Sequence, residues 1–373
     1  MLVSLIIVFL VSFLITALSS PLTIRLAKKY GLVDDPKLRP HPAHFHQSII
    51  PRAGGLTIYL GVILTILFFI PITKAVLGII LGTTTLLVLG LIDDKVKTFN
   101  PYWRLIILFV AAGFAVGSGI GITFIGNPLY DSFHIGESLI RLDTINIPFD
   151  FFGRHNIVLI ADLLGFFWIV SLTQVINWAK GVDGQMPSIT FIASLVLGFL
   201  SLKLFLEGDP HQLAVAQMSF IVAGASLSLL IFNWYPAKIL PGFSASTILA
   251  FLLAVLSILS GAKLATACLT MAIPIIDFLY TFFRRIVQGR SPVWGDRGHL
   301  HHKLLDIGWN PQKISIFYLL ASSLFGLLAI FSPSLNKFFT LLFVTIVILI
   351  FILWINSFGV LSKKSDPGSG SKT

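Results

Sequence analysis

Charge is scarce in this chain of 373 residues: Asp, Glu, Lys and Arg together make up 11% of it, against 56% hydrophobic residues. That ratio excludes an ordinary soluble domain, which could not cover so much apolar surface with so few polar groups. There is a single cysteine, Cys268, so no disulfide forms within the chain. Cys268 sits in an apolar run, where a thiol is a small buried hydrophobe. No basic residue precedes the first apolar run, Met1 to Ser20, while Arg25, Lys28 and Lys29 follow it. These flanks are wrong for a cleaved signal peptide and right for a retained first helix.

What remains is mostly long apolar segments. A hydrocarbon core about 30 Å thick asks for about 20 apolar residues per helix. The pattern predicts an all-α integral membrane protein, a bundle of about eleven spans near 3–24, 54–70, 75–92, 104–121, 157–176, 188–206, 213–232, 244–260, 264–283, 314–332 and 338–358. An odd count puts the termini on opposite sides. Of the 26 Lys and Arg, 20 then fall on one side and six on the other. Basic loops stay cytoplasmic, so the expectation is N-terminus outside, C-terminus cytoplasmic. The net charge of +10 is therefore an orientation signal, and nucleic acid is not an expected partner. One transmembrane domain is expected over 1–361, with an external loop at about 122–156 that carries a short β-hairpin. Residues 362–373 are expected to form a disordered cytoplasmic tail.

Five loops on the basic side hold nearly every unusual residue. The first runs through Asp34-Asp35, His41, His44 and His46 to Pro51-Arg52-Ala53-Gly54-Gly55, where exposed N–H groups at a helix start favour an anion. The second opens on Asp93-Asp94 at the end of the third span, where two acids join the negative end of the helix dipole. That placement suits a shared cation or proton. The third is Asn177-Trp178-Ala179-Lys180-Gly181-Val182-Asp183-Gly184, in which Asn177 and Asp183 are oxygen donors fit for Mg²⁺ or a ribose. The fourth, Asn233 to Ser244, brings aromatic residues and Lys238; read alone such a loop is most often an interfacial aromatic belt. The fifth carries Arg284-Arg285, then Asp296-Arg297-Gly298-His299-Leu300-His301-His302. Arginine forks and imidazole donors together describe a diphosphate cradle. Zinc competes for the histidines, but their spacing is cramped and no cysteine is near. Asp277, inside the preceding span, is an acid that a membrane makes costly to bury, so it too is a candidate.

Together these segments resemble the polyprenyl-phosphate N-acetylhexosamine-1-phosphate transferases, a glycosyltransferase family 4-like superfamily. The likeness covers roughly 25–310, with the motifs in the family's order. Pro51-Arg52-x-Gly54-Gly55 looks like its first signature, and Asp93-Asp94 with Pro101 and Trp103-Arg104 its acidic pair. Asn177 with Asp183-Gly184 and Asn233 to Gly242 are similar to the next two. Asp277 with Asp296-Arg297-x-His299-x-His301-His302 resembles the histidine motif of the undecaprenyl-phosphate N-acetylglucosamine-1-phosphate transferase branch.

The resemblance implies transfer of N-acetylhexosamine-1-phosphate, of the N-acetylglucosamine kind, from a UDP-sugar to a polyprenyl phosphate. UMP leaves, in the first membrane step of cell-envelope polysaccharide synthesis, on the cytoplasmic face of the plasma membrane. It implies Mg²⁺, or Mn²⁺, held by Asp94, Asn177 and Asp183. It also implies catalysis by Asp93, Asp94, Asp183 and His301, with substrate bound by Arg52, Gly54, Gly55, Lys180, Asn233, Arg297, His299 and His302. It leaves room for a homodimer.

Two departures stand out. Lys180 replaces a usual Asp, and Phe243 replaces another in Gly242-Phe243-Ser244-Ala245-Ser246, where the family reads Gly-Asp-(Thr/Ser)-Gly-Ser. Phe243 cannot ligate a metal, so the metal site is rebuilt or lost, and Lys180 supplies part of the missing cation's charge. The alternatives are a degenerate member that binds nucleotide sugar or lipid phosphate without turnover, and a transporter. A transporter would string its charges across mid-bilayer.

Overall fold

The computed structural model describes residues 1–36, 46, 48–96, 99–127, 130, 134–150, 154–261, 263–291, 297–332 and 334–364. It is mainly helical. Helix α1 is Leu2–Tyr30, α2 Gly54–Phe69, α3 Lys74–Lys95, α4 Pro101–Gly117, α5 Leu159–Trp178, α6 Gln185–Leu206, α7 Gln212–Asn233 and α8 Gly242–Leu259. These are followed by α9 Leu264–Thr270, α10 Ala272–Val287, α11 Leu300–Asp306, α12 Pro311–Phe331 and α13 Ser334–Lys364.

Local chemistry explains the helix ends. The side chains of Thr73, Asn100 and Asn310 each accept from a backbone N–H in the first turn that follows. Pro101 and Pro311 open α4 and α12, where a missing N–H costs nothing. Gly31 stops α1 in the left-handed conformation, with φ at 73°.

Eight helices among the described residues are long and apolar enough to cross a membrane. Their outer faces are hydrophobic: on α1, Ile6, Leu10, Leu14, Leu18 and Leu22 are all exposed. Several hydroxyl groups inside the bundle are returned to their own helix, as when Thr65 donates to the Gly61 carbonyl and Ser194 to that of Thr190. Helix α8 is the axis, 94% buried over its apolar window, and it packs on α2, α3 and α5.

The apolar run at 264–283 is not one straight span. It is α9 and α10, bent by 84° at Met271. Pro274 cannot donate an N–H or tolerate a helical turn before it, so it sits in the first turn of a new helix. The runs at 54–70 and 104–121 correspond to α2 and α4, of 16 and 17 residues. The segment expected to carry one hairpin has two antiparallel pairs. Strand β3 (Phe124–Gly126) pairs with β4 (Leu139–Arg141), and β5 (Asn146–Asp150) with β6 (Arg154–Val158). A further short pair, β1 (Val33–Asp34) with β2 (Ile50–Pro51), follows α1. Helix α13 runs to Lys364, so the first residues assigned to a tail are helical. Residues 365–373 lie outside the described ones.

Candidate active site

The five polar loops meet at one end of the bundle. β2 leads Arg52 to the acidic pair at the end of α3, and its Nε donates to Asp94 Oδ1 at 3.0 Å. Asp94 is fully buried and reaches 149 residues along the chain to the start of α8. Its Oδ1 accepts from the Phe243 N–H at 2.6 Å, and its Oδ2 from the Ser244 N–H at 3.1 Å and hydroxyl at 2.6 Å. A carboxylate at a helix N-terminus satisfies orphan N–H groups and the positive end of the dipole. With Arg52 added, four donors occupy its lone pairs. The geometry makes Asp94 the anchor of α8.

Asp93 is different. Its Oδ1 accepts from Arg104 Nε at 2.5 Å, while its Oδ2 is buried with no hydrogen-bond partner among the described residues. This is the one acidic oxygen of the expected catalytic set left available.

Lys180 stands at the junction of the third and fourth loops. Its ammonium donates to Asn177 Oδ1 at 2.6 Å, the Gly242 carbonyl at 2.9 Å and Ser246 Oγ at 3.0 Å. Ser246 also bonds Asn177 Oδ1, at 2.8 Å. Burial pushes the Lys180 pKa down to about 7; Arg52 adds to this and Asp94 and Asp93 oppose it. Phe243 turns its ring toward two cations, with Lys180 Nζ 5.5 Å and the Arg104 guanidinium 5.7 Å from its centre.

Asp183 accepts from His46 Nε2 at 2.9 Å and from the Ala237 N–H at 3.0 Å. Asn233 clasps two loops, accepting from the Gly184 N–H and donating to the Ile239 carbonyl, each at 2.9 Å. These two bonds hold the loops together. The same applies to Gly54 and Gly55. The Gly54 N–H bonds the Leu240 carbonyl at 3.2 Å, and a Cβ on Gly55 would collide with Ser244. These glycines let α2 and α8 start side by side, and the Gly54 N–H is bonded to protein rather than presented to an anion.

The fifth loop closes the site. His301 lies so close to Gly181 that a Cβ there would meet its Nε2. The ring of His301 stacks on that of His299, 5.6 Å between centres. His299 is bonded to Asp277 at 2.9 Å, and Asp277 also accepts the Leu300 N–H at 2.9 Å. Asp277 thus caps α11 and orients His299. Burial, reinforced by the neighbouring histidines, drives His301 well below its usual pKa, and burial with His299 and Arg297 takes His302 to about 4. Both are neutral donors at pH 7. Arg297 pairs with Asp306 at 2.8 Å on the exposed edge of α11. His41, His44 and Asp296 lie outside the described residues.

Sequence reasoning passed over Ser244 and Ser246. The signal was present, since Ser246 stands one helical turn after Gly242. Arg285, nearly fully buried and stacked 4.8 Å over Trp178, was also not singled out as buried.

The set expected for Mg²⁺ does not fit that ion. Mg²⁺ demands near-octahedral oxygen ligation at about 2.0–2.1 Å. Both oxygens of Asp94 and of Asp183 already accept protein donors, and the Asn177 oxygen faces the Lys180 ammonium. Among the described residues no three acidic, imidazole or thiol groups gather as a metal centre needs.

Residues 76–261, which hold the second, third and fourth loops, match the model of glycosyl transferase family 4. The chain is 26% identical over 372 residues to a probable undecaprenyl-phosphate N-acetylglucosaminyl 1-phosphate transferase of Bacillus subtilis, covering 98% of this chain and 95% of that one. It is 26% identical over 336 residues to an undecaprenyl-phosphate alpha-N-acetylglucosaminyl 1-phosphate transferase of Escherichia coli O157:H7 (86% and 82% covered). It is also 27% identical over 326 residues to a decaprenyl-phosphate N-acetylglucosaminephosphotransferase of Mycolicibacterium smegmatis (79% and 74% covered). Motif order, polytopic helical fold and matches along the chain agree in their likeness to glycosyl transferase family 4.

Proposed function

We propose that the chain transfers N-acetylglucosamine-1-phosphate from UDP-N-acetylglucosamine to a polyprenyl phosphate. An oxygen of the lipid phosphate forms a bond to the β-phosphorus of the nucleotide sugar. The bond from that phosphorus to the bridging oxygen breaks, UMP leaves, and a lipid diphosphate sugar stays in the membrane. The observation that carries this reading is the meeting of Arg52, Arg104, Lys180 and neutral histidines at one end of an apolar bundle. Two phosphate-bearing substrates repel each other, and fixed cations offset that repulsion while aligning them. Asp93, whose buried Oδ2 has no hydrogen-bond partner among the described residues, accepts a proton from the lipid phosphate. His301 and His302 donate hydrogen bonds to the diphosphate without adding charge. Asp94, Asn233 and Asp277 keep the loops in place.

Eleven crossings, with α2, α4 and the bent α9–α10 pair each counted once, fit the positive-inside distribution of charge. In that arrangement the site faces the cytoplasm from the plasma membrane. A second reading, binding of the nucleotide sugar without turnover, is favoured by Phe243 and Lys180.

The test is a membrane assay with labelled UDP-N-acetylglucosamine and undecaprenyl phosphate. Labelled lipid and equimolar UMP are expected from the wild type, and a loss of about 100-fold or more in Asp93→Asn if that oxygen is the base. Nucleotide-sugar binding with no UMP released would leave only the second reading, and equal rates in the two proteins would end the role given to Asp93.

A further inference from the structure

We propose that the Lys180 ammonium is the resident cation of this site, so that a nucleoside diphosphate binds here without a divalent metal. The inference rests on the nucleotide-sugar reading and deepens it. Three oxygens converge on one nitrogen: Asn177 Oδ1, the Gly242 carbonyl and Ser246 Oγ. An amide, a carbonyl and a hydroxyl around one point are the donor set a small hard cation would use. Here an ammonium fills it, and three acceptors use all three of its N–H groups. Three other oxygens, those of Asn177, Gly242 and Phe243, lie within hydrogen-bond distance of the Ser246 hydroxyl and compete for its proton, which leaves its oxygen to accept from the amine. The geometry itself therefore calls for the charged form.

The charge balance agrees. Lys180, Arg52 and Arg104 lie among Asp93, Asp94 and Asp34, three cations against three anions, before any ligand arrives. A cluster whose carboxylate charge is already balanced by resident cations has no surplus of anion to attract a divalent cation, and its Lys180 ammonium can meet a diphosphate. Phe243 fits the same logic. An acid at that position would be drawn into contact with Lys180 and Arg104, whereas its ring offers both cations a weakly negative face and adds no further anion. Lys180 remains only partly buried, so that charge acts on what lies outside the loop.

The experiment uses the full chain in nanodiscs, stripped of metal with EDTA. UDP affinity is followed by calorimetry with EDTA or with Mg²⁺, and Mn²⁺ binding by electron paramagnetic resonance. The expected result is UDP affinity equal within about twofold in the two buffers, and no Mn²⁺ bound beyond the level of empty nanodiscs. The double variant Lys180→Asp with Phe243→Asp carries the cluster to net negative charge. It is expected to gain a Mn²⁺ site and to need the metal for UDP by about tenfold or more. Absence of UDP binding in EDTA, a Mg²⁺ requirement of about tenfold in the wild type, or saturable Mn²⁺ binding by the wild type would each overturn the proposal. These wild-type measurements decide the matter even where the double variant does not fold. Sugar-phosphate transfer that occurs only with Mg²⁺ would end this inference and keep the transferase. Metal-free UDP binding without transfer would do the reverse.

Discussion

Neutral histidines set the pH response of single residues. His302 has a pKa of about 4 in the folded protein and a pKa near the ordinary imidazole value of 6.5 once unfolded. Between these values the unfolded chain binds a proton that the folded chain refuses, so stability is intact above pH 6.5 and is lost as pH falls toward 4. His301 is shifted in the same direction, and each histidine adds a slope of about 1.4 kcal/mol per pH unit. Unfolding temperature is expected to drop steeply from pH 6.5 to 4.5, and His302→Gln to flatten part of that drop; parallel curves would reject the assignment. At this scale the sequence showed which residue types gather, but not their roles. Asp93 and Asp94 are indistinguishable as adjacent acids. Only the fold, by placing α8 over Asp94 and Arg104 beside Asp93, saturates one and leaves an oxygen of the other available.

Helices in lipid gain little from hydrophobic contrast with their surroundings, so close backbone approach has to hold them together. Gly224 of α7 lies against the Phe9 carbonyl of α1, and a Cβ there would strike that backbone oxygen. A carbonyl in a helix cannot swing aside as a side chain would. Gly224→Ala is expected to separate α1 from α7 at a cost of about 1–3 kcal/mol. The check is faster hydrogen exchange confined to those two helices; unchanged exchange in α1 would refute the contact. The apolar runs were legible because each helix must satisfy its own backbone in hydrocarbon, which fixes a minimum length. The break at Met271 was harder to see, since Pro274 is tolerated in a helix's first turn as well as in a kink, and composition on either side is equally apolar. The alternation from Ser138 to Pro148 was read as one hairpin, yet its residues serve β4 and β5, which pair with different partners. Periodicity records which way side chains alternate, not which strand lies opposite.

For the whole molecule, orientation is the claim most open to a direct check. With Cys268 changed to Ser, a cysteine at Glu137 is expected to react with an impermeant maleimide added to intact spheroplasts. One at Arg290 is expected to react only after the membrane is opened. Both positions are exposed, so the reverse pattern would turn the bundle over and place the site outside. The convergence of five loops was anticipated from motif order, but the fastenings were not. They join Asp94 to Ser244, Asp183 to His46 and Gly181 to His301, all far apart in the chain.

The attachment of Asp94 to the head of α8 changes how inactive variants are to be interpreted. A side chain that rivets the central helix to its neighbour produces a silent enzyme when removed, whatever its part in the reaction. Screens that rank residues by lost turnover will therefore score this aspartate beside the true reagents. Separating the two requires asking, for every dead mutant, whether the scaffold still stands.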